Sequence, residues 1–149
     1  MLDVRPLASP SVIHDVLTDP WVAQHIRHDA REPGYIEHPA MSYHGAYIDG
    51  ELAGVFMAIA HTPWEIEVHA ALLRQATRHG RALGRLFLDQ LWQDAELMRV
   101  TAPVLSTLTS AANYCRKLGF QDEGVRRRAC RVNGLPVDVI YLGLLRAGK

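Results

Sequence analysis

Glu65-Ile66-Glu67-Val68-His69-Ala70-Ala71-Leu72-Leu73, followed by Arg74-Gln75-Ala76-Thr77-Arg78-His79-Gly80-Arg81-Ala82-Leu83-Gly84, is the stretch on which the fold reading turns. Its first part alternates: Glu65, Glu67 and His69 fall on one face, Ile66, Val68 and Ala70 on the other, the period of a strand. From about Gly80 the period changes, with Leu83, Leu86, Phe87, Leu91 and Ala95 at helical spacing. Between the two, Thr77 to Gly84 reads as a loop at the mouth of a long helix. The first amides of a helix lack intrahelical partners and attract anions. Small residues at 80, 82 and 84 let ligand oxygens approach the backbone, and Arg78, His79 and Arg81 add positive charge there. Several charge-assisted hydrogen bonds, each about 1.5–3 kcal/mol, suit a diphosphate. The competing reading is that Gly80 and Gly84 only admit close packing at the helix start.

Working outward, Leu2 to Leu7 reads as a first strand, and Ser9 and Ser11 around Pro10 supply cap chemistry for a helix through Leu17. Asp19-Pro20 opens another helix carrying Trp21, Val22, His25 and Ile26. Asp29 to Pro39 is polar and proline-containing, a loop. Tyr43–Ile48 and Leu52–Ala60 are strands joined at Asp49-Gly50, and Thr62-Pro63 turns into the run Trp64 to Leu73. Downstream, Arg99 to Val104 reads as a buried strand and Ser110 to Leu118 as a helix closed by Gly119. A terminal hairpin, Phe120–Val132 and Val137–Leu145, turns at Asn133-Gly134. The order β-α-α-β-β-β-α-β-α-β-β predicts an α/β (α+β) fold. Its mixed, mostly antiparallel central sheet has about six or seven strands, with helices on both faces.

Two segments resemble the GNAT acyltransferase superfamily. Leu72 to Leu86 is similar to its coenzyme A signature, Arg/Gln-x-x-Gly-x-Gly/Ala after a strand, with Gly80 and Ala82 at the small positions and Thr77 where Arg or Gln leads. Ala111 to Phe120 resembles a later helix, A-x-x-x-Y-x-K-x-G-F, with Ala111, Lys117, Leu118, Gly119 and Phe120 in register. Leu108 replaces the usual Asn, and Cys115 the usual Tyr, with Tyr114 beside it. The run Glu67 to Leu73 also resembles a phage-associated branch. The resemblance implies one GNAT-like domain over residues 1–149.

It further implies an acetyl-coenzyme A-dependent N-acyltransferase, with acetyl-coenzyme A as co-substrate and an amine of a small molecule or protein as acceptor. The alternative is a GNAT-like coenzyme A-binding or structural module without turnover. Leu72, Leu73, Arg78, His79, Gly80, Arg81, Ala82 and Leu83 would bind the coenzyme. The amine would attack the thioester directly, which calls for a base, oxyanion donors and a proton source for the thiolate. Glu67 and His69 are the base candidates, because charged groups on a mid-sheet strand indicate a cleft. A water-facing sheet end is the alternative. Tyr114 and Cys115 are candidates for the acid, although adjacent helix residues point about 100° apart. Cys115 also reads as a small buried residue. The acceptor pocket would draw on the Asp29–Ala40 loop and the terminal hairpin.

Composition narrows the function classes. Lys plus Arg and Asp plus Glu both count 16, which argues against general nucleic-acid binding. Apolar residues make up 48%, enough for a core, yet no apolar run is long enough for a bilayer. Two cysteines, Cys115 and Cys130, suit reduced thiols, and the N-terminus lacks signal-peptide character, so the cytoplasm is expected. No metal is expected: His25 and His28 have no third ligand at convincing spacing. Arg126-Arg127-Arg128 reads as a solvated strand with alternating side chains, and Trp21, Trp64 and Trp92 as core or interface anchors. A homodimer stays open.

Overall fold

The computed structural model describes residues 1–148. Seven strands form one sheet: β1 (Leu2–Pro6), β2 (Met41–Ile48), β3 (Glu51–Thr62), β4 (Glu65–Leu72), β5 (Arg99–Leu105), β6 (Gln121–Val132) and β7 (Leu135–Leu145). Their order across the sheet is β1-β2-β3-β4-β5-β7-β6, antiparallel throughout except for β4 beside β5. The helices are α1 (Pro10–Leu17), α2 (Pro20–Ile26), α3 (Gly80–Leu91) and α4 (Thr109–Lys117). This is the mixed α/β architecture expected from the element order.

Local chemistry explains most boundaries. Ser9 and Asp19 accept hydrogen bonds from the first-turn amides of α1 and α2, and each helix has proline at its start. The β2–β3 and β6–β7 hairpins turn through two residues at positive φ, Asp49-Gly50 and Asn133-Gly134, matching the twist of the flanking strands. At the end of α4, Gly119 has φ 101°. The amides of Gly119 and Phe120 return to the carbonyls of Arg116 and Cys115, a Schellman closure.

Each sheet face has its own core. Ile13, Val16, Leu17 and Val22 of α1 and α2 pack on Tyr43, Val55, Met57 and Ala71. On the opposite face Leu83, Phe87, Leu88 and Leu91 of α3 and Ala112 of α4 cover Val4, Ala46, Phe56, Val100 and Leu142. Phe56 and Phe87 stack with ring centroids 4.6 Å apart.

Three expectations are corrected. The helix from Gly80 ends at Leu91 rather than near Ala95. There Arg146 caps the turn, donating from Nε to Leu97 O at 2.7 Å and from Nη2 to Trp92 O at 3.1 Å. Thr77 to His79 is not an irregular loop but belongs to a 3-10 helix, Arg74–His79, that runs straight into α3. The arginine run does not simply alternate: the register with β7 shifts between Arg126 and Cys130, and Arg128 sits at φ 54°. This is a bulge on an edge strand, a common device against edge-to-edge pairing. Of the three tryptophans, Trp64 is exposed.

Leu142 is fully buried at the middle of β7. Leu142→Ala is expected to cost about 2–5 kcal/mol, from lost burial and the residual cavity, measured by chemical denaturation.

Candidate functional site

The two central strands part company. β4 and β5 pair at Glu65↔Arg99, Ile66↔Val100 and Glu67↔Thr101, and the ladder stops there. Yet β4 runs on to Leu72 and β5 to Leu105. Arg99 donates its amide to Trp64 O at 3.0 Å, so its N–H faces β4. Strand amides alternate edges, so the nitrogens of Thr101 and Pro103 face β4 as well. Pro103 would be the next partner, opposite His69, and it has no N–H to give. A wedge therefore opens from Glu67 and Thr101. It leads towards the start of α3 on one side and α4 on the other.

Glu67 and His69 sit at the vertex. Glu67 Oε2 accepts from His69 Nε2 at 2.6 Å, and Oε1 accepts from His61 Nε2 at 2.9 Å. His61 reaches it from an irregularity in the β3–β4 register between Ala60 and Thr62. The hydrogen bond from His69, the larger influence, and that from His61 outweigh desolvation and bring the Glu67 carboxyl down to about 2. A carboxylate held so low is a poor proton acceptor at neutral pH. With Nε2 turned to Glu67, His69 keeps Nδ1 without a hydrogen-bond partner among the described residues. The strand reading thus places Glu67 and His69 together, joined by His61.

The same face carries a second network. Thr101 Oγ1 donates to Glu65 Oε2 at 2.6 Å, and Arg99 Nε donates to Thr101 Oγ1 at 3.2 Å. Arg99 Nη2 also pairs with Glu123 Oε1 at 2.5 Å. This ion pair lies flat across β7 because Gly143 has no side chain; a Cβ there would collide with both partners. Arg99, Thr101 and Glu123 were not among the sequence candidates. Arg99 and Thr101 are signalled only as polar residues at alternate positions of an otherwise apolar strand, and Glu123, in a polar edge strand, has no such signal.

The α3 entrance differs from the simplest phosphate-loop picture. Gly80 is buried and donates its own amide to Thr77 O. A Cβ at Gly84 would lie 2.9 Å from Leu118 and closer still to the Tyr114 hydroxyl, so Gly84 admits a side chain of α4 rather than a ligand. Tyr114 lies under this turn, donating its hydroxyl to Gly80 O at 2.7 Å. Burial raises its pKa well above the ordinary phenol. Cys115, one step on, packs against the α3-side core, and burial pushes its thiol up to about 11. Leu72 ends β4 beside Gly54 and Gly80, whereas Leu73 packs on the α1 side and gives its amide to Ala53 O at 2.9 Å. Leu83 is fully buried. Arg78, Arg81 and Ala82 are exposed and His79 half-buried. No side chain caps the first turn, and among the described residues Arg78 and Arg81 have no carboxylate partner within 4 Å.

The Asp29 loop crosses to the terminal hairpin. Asp29 accepts from the amides of Asn133 and Gly134 and from Arg131 Nε, each at 2.9 Å. The backbone hydrogen bond from Gly134 is the main reason its carboxyl lies below the ordinary aspartate value. Among the described residues no cluster of His, Cys, Asp and Glu suits a metal, and no helix is long and apolar enough to cross a membrane.

This sheet, split between β4 and β5 with α3 at the mouth of the split, is the fold of the GNAT acetyltransferases. Spermidine N-acetyltransferase from Vibrio cholerae, solved with CoA and spermine, superposes with a TM-score of 0.82 at 19% identity over 98% of this chain and 96% of that one. A GNAT-family acetyltransferase from Streptococcus pneumoniae gives 0.75 at 15% identity, covering 98% and 100%. A probable acetyltransferase gives 0.65 at 22% identity over 72% of this chain, which spans 63% of that structure. No protein-family model matches the chain. At these identities the likeness is one of fold.

Two outcomes are expected from this geometry. Gly84→Ala destabilises by about 1–3 kcal/mol through overpacking, and adding Tyr114→Phe recovers part of the loss, both read from denaturant midpoints. Glu67 is depressed from 4.5 to about 2, so its contribution is complete above pH 4.5 and fades as pH falls towards 2. The difference in melting temperature between wild type and Glu67→Gln should therefore be largest near pH 7 and shrink steadily below pH 4.5.

Proposed function

We propose that this protein is an acetyl-coenzyme A-dependent N-acyltransferase that acts on an amine acceptor. The observation that carries the reading is the wedge: unpaired strand edges beside a histidine whose carboxylate partner leaves one ring nitrogen open. The amides of the coenzyme's pantetheine arm suit the inner edge of β4 from Val68 to Leu72, which has lost its neighbour in the sheet. Its pyrophosphate suits the uncapped first turn of α3, with Arg78, His79 and Arg81 around it and Ala82 small enough for close approach. Gly80, Leu72 and Leu83 serve that site by packing the turn.

In this reading the acceptor nitrogen loses a proton to His69 Nδ1 and bonds to the acetyl carbon. The tetrahedral intermediate collapses, the carbon–sulfur bond breaks and the thiolate leaves. Glu67 is a positioning residue: it holds the His69 tautomer and orientation and stabilises the imidazolium that forms. Cys115 stands where the GNAT pattern has tyrosine, and that position makes it the candidate acid, although burial pushes its thiol up to about 11 and makes it a weak one. Tyr114 holds α4 against α3. The two thiols, Cys115 and Cys130, are unpaired, which suits the reducing cytoplasm.

The second reading is a coenzyme A-binding module without turnover. It is favoured by Tyr114, whose hydroxyl is engaged by Gly80, and by the buried Cys115.

Acetyl-coenzyme A should raise the melting temperature, since a ligand bound only by the native state stabilises it. Thiol release across an amine panel should then identify acceptors. His69→Ala should lower kcat by about 10²–10⁴. Glu67→Gln should lower kcat less and leave the acetyl-coenzyme A stabilisation intact. Stabilisation without thiol release from any amine supports the module; no stabilisation sinks both readings.

A further inference from the structure

On the open sheet face, the carboxylates of the acidic network are paired among the described residues, and Arg126 is a cation without such a pair. Glu65 and Glu123 both lie against Arg99, and Glu67 lies between His61 and His69. Arg126 has no such partner. Among the described residues no carboxylate comes within 4 Å of it, and its Nη1 donates only to the neutral Tyr141 hydroxyl, at 3.3 Å. The guanidinium stands 5.9 Å from the Tyr141 ring centroid.

Register puts this pair opposite His69. A Cβ on Gly143 would meet Arg99 and Glu123, so Gly143 faces the same side as the acidic network. Two residues away on β7, Tyr141 faces that side too. Tyr141 pairs with Pro103, and Pro103 is the position opposite His69 across the wedge. His69 and Tyr141 therefore stand in one row, two strand spacings apart, or about 10 Å before the wedge widens it. On the far side of Tyr141 the row ends at Gly124, which has no side chain to fill the space. Arg126 also lines an open groove of about 810 Å³ with Arg127 and Arg128. The carboxylate in that groove, Asp138, is already bonded to the Arg128 amide at 2.8 Å.

We propose that Arg126 and Tyr141 form a carboxylate subsite, so that the acceptor is an amine that also carries a carboxylate, an amino acid in kind. The proposal rests on the acyltransferase reading for the amine end at His69. Its carboxylate end is independent of that reading. A guanidinium and a phenol hydroxyl together offer donors in the arrangement a carboxylate prefers. With its amine at His69 and its carboxylate at Tyr141 and Arg126, such a ligand would bridge the wedge along this row. The flanking Arg127 and Arg128 raise the local positive potential and draw such an anion in.

The test is an NMR titration of the whole protein with L-alanine, β-alanine, L-phenylalanine and L-glutamate, each against its own carboxamide. At least one acid should bind about tenfold or more tighter than its amide, as a charge-assisted contact provides. Arg126→Gln should abolish that preference, and Tyr141→Phe should weaken it several-fold. Binding of no amino acid, equal binding of acid and amide, or a preference that survives Arg126→Gln would each overturn the subsite. A preference for amides would do the same and point to peptide N-termini. Thiol release separates the two ideas. Acids that bind through Arg126 yet release no thiol keep the subsite and sink the transfer. Equal thiol release from acids and amides does the reverse.

Discussion

A missing amide hydrogen shapes the centre of this molecule. β5 needs an N–H at residue 103 to continue its parallel ladder with β4, and Pro103 lacks one. The strand stays in the sheet because its other edge is paired with β7 through Leu105. Only the β4 side is released. A tight sheet thus acquires a gap at its middle without losing a strand, and the first residue beyond the break on β4 that faces the acidic network is His69. Past the end of β5 comes α4, and past the end of β4 the 3-10 helix Arg74–His79 leads into α3, so the split opens towards helix N-termini.

Electrostatics on the open face follow from how that gap is lined. Carboxylates on a central strand are costly unless partnered, and each here has a partner. Glu67 is held by two imidazoles, Glu65 by Thr101 and Arg99, and Glu123 by Arg99 across Gly143. The arrangement gives Glu67 and His69 different surroundings, although both are ionisable residues on one strand face. Two imidazoles hold the Glu67 carboxyl as a committed anion at neutral pH, while one ring nitrogen of His69 has no hydrogen-bond partner among the described residues. On the neighbouring hairpin, Arg126 to Arg128 have no carboxylate partner within 4 Å among the described residues.

Departures from the GNAT pattern that the sequence resembles have physical counterparts. Tyrosine stands one position earlier than the pattern places it, and the rotation of about 100° carries it under α3. Its ring then occupies the space that Gly80 and Gly84 leave. Glycines read as an opening for phosphate are thus partly an opening for Tyr114. The exposed part of the motif, Arg78, Arg81 and Ala82, remains on the surface of the turn.

Periodicity and turn chemistry made the element order legible in advance. Alternation in Glu65–Leu72, the Asp-Gly and Asn-Gly hairpins and the Gly119 stop are short-range signals, set by backbone sterics and local hydrogen bonds. Alternation also placed Glu67 and His69 on one face. The chain alone did not reveal that His61 joins them, that Arg99 bridges Glu65 and Glu123, or that Arg126 comes beside Tyr141 and across from His69. Those depend on strand order and register, in which residues distant along the chain become neighbours. Pro103 lies between the two cases. Its missing N–H is written in the sequence, but only the sheet decides which neighbour goes unpaired, because that depends on which edge the nitrogen faces.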